Sequence, residues 1–299
     1  MPHICYQDKH FHKKTLAIID AANEILEEYV QKGYDLTLRQ LYYQFVARDF
    51  LPNTPKSYDN LGNVINNARL AGLIDWNHIT DRTRYVRDLS HWDSPEGVVH
   101  SAAESFRVNM WEEQNDYVEV WIEKDALVGV ITSICQQWDV PFLSCRGYVS
   151  QSEMWRASCR FTKQEHMGKN TFIIHLGDHD PSGVNMTADI QNRLYGFNSE
   201  VEVCRVALTM EQIEKYDPPP NYAKETDSRY RDYVLEYGER CWELDALEPE
   251  IIEKLVADTT QKHLNFNLWK EKKHEEEEAK GLLSRVVNRW EEVKELLND

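Results

Sequence analysis

The sequence predicts an α/β protein with a helical module in front of it and a helical extension behind. Three observations carry that prediction. Apolar residues recur at helical spacing over residues 13–71. Strand-like and helix-like segments then alternate from residue 98 to residue 208. From Pro249 onward the pattern is helical again. Strands alternating with helices at this spacing imply βαβ units and a mainly parallel sheet.

In chain order, Leu16, Ile19, Ala22, Ile25, Leu26 and Val30 give residues 13–33 one apolar face, and Gly33 supplies a stop. Thr37 is a good N-cap for a second helix running through Val46. Pro52, Asn53 and Pro55 break the chain before a third helix over residues 57–71, closed by Gly72. Residues 73–76 and the Arg-rich 81–87 read as a short β wing, so that residues 1–93 describe a helix-turn-helix module of winged-helix type. Residues 91–97, with Pro95 and Gly97, read as a linker and residues 98–113 as a helix. Strands are expected at 117–122, 141–145, 171–176 and 201–208, with helices at 126–137, 152–161 and 181–195 between them. The boundaries drawn are 1–93, 94–248 and 249–299. In the last of these, Glu275–Glu278 reads as a solvated acidic face. Leu282, Leu283, Val286, Val287, Trp290, Val293, Leu296 and Leu297 form a stripe that packs on its own domain or on a partner.

Composition removes several classes. The 299 residues are 41% hydrophobic and 28% charged, as in a folded globular chain, and nine Trp, fifteen Tyr and nine Phe can fill a large core. No apolar run approaches the roughly 20 residues that span a bilayer, and residues 1–14 lack the apolar stretch of a secretory signal. Six cysteines without C-x-x-C spacing argue against a zinc knuckle or a disulfide framework. A reduced, cytoplasmic protein is expected. A net charge of −17 opposes simple coating of DNA, which needs a basic surface. Its distribution is uneven: residues 1–93 hold 11 Lys+Arg against 12 Asp+Glu, the rest 23 against 39. The first third is near neutral. The acidic remainder needs metal ions or a shaped channel to approach phosphate.

Two expected strands run straight into acids. Residues 117–122 lead into Glu123, and residues 171–176 lead into Gly177-Asp178-His179-Asp180-Pro181-Ser182-Gly183. Chemistry in parallel sheets gathers outside the carboxyl ends of the strands. Mg²⁺ takes one or two carboxylates directly and leaves its other positions to water and phosphate oxygen. The D-x-D spacing turns Asp178 and Asp180 to the same side of an extended segment, Pro181 suits a first helical turn, and Gly183 allows close backbone approach. Taken alone, D-x-D at a strand–helix junction is often only a helix cap. Taken together, a strand-end Glu and D-x-D-P-x-G resemble the Toprim domain of topoisomerases, primases and certain nucleases. Glu123-Lys124 and Asp178-x-Asp180-Pro181-x-Gly183 look most like the subgroup of the topoisomerase VI A subunit and the meiotic double-strand-break protein. The resemblance covers roughly residues 35–250. It implies Mg²⁺ on Glu123, Asp178 and Asp180, with Glu123 also open to acid–base work.

The same resemblance implies a winged-helix domain before Toprim, with a nucleophilic tyrosine in Arg-x-x-x-Tyr. Arg39-Gln40-Leu41-Tyr42-Tyr43 matches it. Arg39 and Tyr43, four residues apart, share a helix face. The chemistry requires such a pair, because a phenol of pKa near 10 is a poor nucleophile at neutral pH and a guanidinium favours the phenolate and grips phosphate. Tyr42 points about 100° away and packs. Candidate DNA contacts are Arg82, Arg84 and Arg87 in the wing, Arg146 after the second strand, and Lys224 and Arg229 in a Pro-rich segment absent from the topoisomerase pattern. That segment, with Trp242 to Leu247, looks like a signature of small stand-alone relatives in phages and mobile elements. Glu243 and Asp245 there would add carboxylates to the metal site or form a salt-bridge network. Arg156 and Arg160 are further candidates for phosphate contact.

The expectation is a homodimer that breaks double-stranded DNA by tyrosine transesterification. In the resembled family the tyrosine of one subunit meets the metal site of the other. No G-x-x-x-x-G-K-[ST] occurs, so strand passage would need a separate ATPase of the topoisomerase B kind. Two alternatives stay open at this point: a Toprim nuclease that uses metal-activated water, and a non-catalytic DNA-binding or assembly protein.

Overall fold

The computed structural model describes residues 3–80 and 89–298. Lys13–Gln31 (α1), Leu38–Ala47 (α2) and Pro55–Leu70 (α3) form an N-terminal helical cluster. Pro95–Ser105 (α4) leads into Asp116–Ile122 (β1), Val128–Gln137 (α5), Phe142–Ser144 (β2) and Gln151–His166 (α6). Asn170–Leu176 (β3), Pro181–Gly196 (α7), Glu202–Ala207 (β4) and Met210–Tyr216 (α8) follow. Asn221–Tyr222 (β5) and Arg240–Cys241 (β6) flank Tyr230–Tyr237 (α9). Pro249–Lys262 (α10), Phe266–Asn288 (α11) and Trp290–Asn298 (α12) end the chain.

Strands β1–β4 form one parallel sheet of order β2-β1-β3-β4, and β5 pairs antiparallel with β6. The chain leaves β1 toward β2 on one side and β3 toward β4 on the other. The topological switch point therefore lies between β1 and β3, the place where open α/β sheets bind ligands. Helices cover both faces. Val118, Val120, Ile122, Ile174 and Leu176 pack with α5 and α10 on one, while Trp121 and Ile173 pack with α6 and α7 on the other. That is why β1 reads as an almost unbroken apolar run.

Glu119 interrupts that run and is 2% exposed. Its carboxylate accepts hydrogen bonds from Tyr117 Oη and Trp121 Nε1, each at 2.9 Å, and pairs with Arg160 Nε at 2.9 Å. Arg160 therefore neutralises a buried strand acid rather than waiting for phosphate. Arg160→Met is expected to cost about 2 kcal/mol in urea unfolding. That is less than the figure for a fully buried pair, because the guanidinium keeps access to water.

The N-terminal cluster builds its own core from Ile19, Ile25, Leu26, Leu41, Phe45, Leu61 and Ile65. A capping box starts α2: Thr37 Oγ1 accepts from Gln40 N, and Gln40 Oε1 accepts from Thr37 N at 2.9 Å. The cluster docks onto the start of α10. Tyr29 Oη donates to Glu248, Tyr34 Oη to Glu253 at 2.5 Å and Gln44 Nε2 to Glu248 at 3.0 Å.

Four sequence expectations change. Residues 73–76 form no strand; beside them Leu36 and Ile79 make a single parallel bridge. The other half of the expected wing, with Arg82, Arg84 and Arg87, lies outside the described residues. The expected linker contains a helix start, since Ser94 Oγ accepts from Gly97 N at 3.1 Å and Pro95 fills the first turn of α4. That helix stops at Ser105, where Arg107 Nη1 donates to the freed carbonyls of Glu104 and Phe106 at 3.0 and 2.8 Å. The acidic run on α11 is not wholly solvated. Glu276 is 0% exposed, accepting from Val108 N at 3.2 Å and pairing with Lys280 at 2.6 Å. In the apolar stripe beyond it no side chain is fully buried, and Leu282, Leu296 and Leu297 are exposed.

Candidate active site

Parallel pairing in register sets Ile122 opposite Leu176. The residues after them, Glu123 and Gly177-Asp178, therefore emerge side by side at the switch point. Glu123 N donates to Leu176 O at 2.8 Å, and Asp178 N donates to Glu123 Oε2 at 2.9 Å. Two glycines make room. A Cβ on Gly177 would lie 2.9 Å from Glu123 Oε2, and one on Gly183 would lie 2.2 Å from Asp178 O. Asp180 caps α7 by accepting from Gly183 N at 2.6 Å.

The acids strain against one another. Burial raises Glu123, and the Asp180 charge adds to that against the pull of the Asp178 amide. Burial pushes Asp178 up to about 8 despite Lys124, with Glu123 and Asp245 pushing the same way.

Lys124 ties this pair to the N-terminal cluster. Its ammonium lies 3.1 Å from Asp178 Oδ2, 2.6 Å from Glu243 Oε2 and 2.8 Å from Asp245 Oδ1. On the far side, Arg39 reaches Glu243 at 3.1 Å and Asp245 at 3.4 Å. The Tyr43 hydroxyl lies close to both Glu243 and Arg39, on the wall of the same cavity. Tyr43 is 3% exposed, and burial followed by the Asp245 and Glu243 charges holds its pKa above the ordinary phenol value. It lines a cavity of about 180 Å³ with Arg39, Tyr58, Asn221 and Glu243. Tyr42 borders the same cavity, but its hydroxyl bonds to the main chain at Pro52 and Thr54 and its ring packs edge-on to Tyr58.

Glu243 and Asp245 thus form the salt-bridge network that the sequence left as one of two options. Lys124, read in the sequence only as the neighbour of Glu123, is its hub. Arg205 was missed altogether. It reaches from β4 behind the acids and donates to Gly183 O at 2.8 Å, Gly177 O at 3.1 Å and Asp178 O. The only signal for it was a charge inside an apolar strand.

Glu123, Asp178, Asp180, Glu243 and Asp245 thus surround three cations, Lys124, Arg39 and Arg205. With every acid ionised the deficit is two positive charges, and protonation of Asp178 below about pH 8 reduces it; oxygen donors suit a hard divalent ion. Among the described residues no group of three or more His, Cys, Asp or Glu side chains stands in a metal-holding arrangement. Lys124 engages Asp178 Oδ2 and the Gly183 amide engages Asp180 Oδ1. Glu123, Asp178 and Asp180 are oxygen donors at neighbouring strand ends, each already engaged by a protein group.

The described DNA candidates differ in their surroundings. Arg146 pairs with Asp125 at 3.0 Å and stays largely exposed. Arg229 pairs with Asp227 at 3.2 Å and lies over the Tyr148 ring. Lys224 is exposed, and Arg156 pairs with Glu153 on the surface of α6. No helix among the described residues is long and apolar enough to cross a membrane. Comparison with protein-family models, with curated proteins and with solved structures gave no match.

Proposed function

We propose that the chain is a Toprim-type enzyme that cuts double-stranded DNA by transesterification from Tyr43, in the manner of the topoisomerase VI A subunit. One observation carries this reading. Arg39 on α2 and Glu123 and Asp178 at two strand ends join one continuous polar network through Lys124, Glu243 and Asp245, and Tyr43 shares a cavity wall with Arg39 and Glu243. In the reaction the Tyr43 oxygen attacks phosphorus and the bond to the 3′ oxygen breaks. A 5′-phosphotyrosyl link and a 3′-hydroxyl result. Arg39 holds the phosphate and favours the phenolate. Glu123, Asp178 and Asp180 would hold Mg²⁺, which supplies charge neutralisation at the phosphate. Arg146, Lys224 and Arg229 would track the DNA backbone. A homodimer gives one tyrosine per DNA strand.

A second reading has its own support. With Tyr43 buried and its proton held by two carboxylates, a Toprim nuclease using metal-activated water cleaves without it. The experiment that separates them is denaturing electrophoresis of labelled DNA after incubation with Mg²⁺. A protein-linked 5′ end supports transesterification, and a free 5′-phosphate supports hydrolysis.

A further inference from the structure

We propose that the Glu243 carboxylate occupies the seat of a DNA phosphodiester, so that the resting site is closed by a built-in mimic of its own substrate. This rests on the DNA-cleaving reading and adds a regulation to it. Three donors converge on that one carboxylate: the Arg39 guanidinium at 3.1 Å, the Lys124 ammonium at 2.6 Å and the Asn221 amide at 3.3 Å, with Tyr43 on the same cavity wall. A guanidinium, an ammonium and neutral hydrogen-bond donors are the set that grips a phosphate oxyanion. Here they grip it with the Tyr43 oxygen alongside.

The main chain on either side of Glu243 is tied down separately, and the side chain is held only by the exchangeable donors just named. Trp242 exchanges two main-chain hydrogen bonds with His179, at 2.8 and 2.9 Å, and Leu244 N donates to Asp178 Oδ1 at 2.8 Å. The carboxylate alone can therefore swing out, with no movement of the backbone. It lines the cavity beside Tyr43, which gives an incoming group a way to the seat. The exchange conserves charge, one anion replacing another, and Asp245 stays to hold Lys124 and Arg39 in place.

The test is binding of a short fluorescein-labelled duplex by anisotropy at low salt, and of inorganic phosphate by calorimetry. Wild type, Glu243→Gln, Glu243→Gln with Arg39→Gln, and Glu250→Gln are compared. Glu250 is a half-exposed partner of Lys32 and controls for the loss of one negative charge. Glu243→Gln keeps the shape of the side chain, and an unchanged melting temperature checks its fold. The expected result is binding tighter by about tenfold for both probes, with a salt slope steeper by about one counterion. The gain is lost in the double variant and absent in Glu250→Gln. Equal or weaker binding in Glu243→Gln, or an equal gain in Glu250→Gln, overturns the proposal. Tighter binding with neither adduct nor cleavage in any variant would instead remove the DNA-cleaving reading and leave the anion seat standing.

Discussion

Tyr43→Phe is expected to abolish the covalent protein–DNA adduct while leaving the fold intact. The substitution deletes one oxygen. The ring keeps its place in the α2 core, and Glu243 keeps Lys124, Arg39 and Asn221 as donors. Nothing else on the α2 face offers a nucleophile: the Tyr42 oxygen accepts from Thr54 N at 2.8 Å and faces the main chain. The adduct yield should fall below detection in a denaturing gel, with the melting temperature held within a few degrees. Adducts that persist would take Tyr43 out of its role. Cleavage that persists with free 5′-phosphates would select the hydrolytic reading.

Lys124→Met carries the largest expected stability change. Lys124 is mostly buried, and burial alone would lower its pKa, but Asp178, Asp245 and Glu243 outweigh that and hold it charged. Above about pH 8, where Asp178 is ionised, removing the ammonium leaves that nearly solvent-free carboxylate without a counter-ion and leaves Asp245 with Arg39 at 3.4 Å. An uncompensated buried charge of this kind costs about 3–5 kcal/mol. Urea unfolding should show that loss, and Lys124→Arg should restore most of it. A change under about 1 kcal/mol would mean that the network is no stronger than a surface pair.

What the sequence disclosed follows the physics that placed each residue. Glu123 and Asp178 were legible because a parallel strand announces its carboxyl end, and adjacent strands in register bring those ends together. The capping of α2 and α7 was legible because Thr37 and Asp180 act on amides three residues away. Residues 209–241 were not. Their helices and strands are at most eight residues long, too short for a periodic signal. They are held by single contacts such as Tyr233 Oη on the carbonyls of His179 and Arg240. Arg205 and Glu276 were hidden for a related reason. Arg205 finds its carbonyl partners far away in the chain, and Glu276, though paired with Lys280 one turn on, owes its burial to the distant segment whose Val108 amide it accepts from.

The central claim, that the acidic strand ends bind a divalent cation, is tested most directly by titrating the protein with Mn²⁺ in a calorimeter across pH. Burial holds Asp178 near 8, so below that pH a bound cation must displace its proton. Affinity should therefore rise by up to about tenfold per pH unit toward about 8, with proton release, and level off above it. Asp178→Asn should lose both the binding and the pH dependence. Binding of equal strength in wild type and Asp178→Asn, or no binding at any pH, would contradict the account.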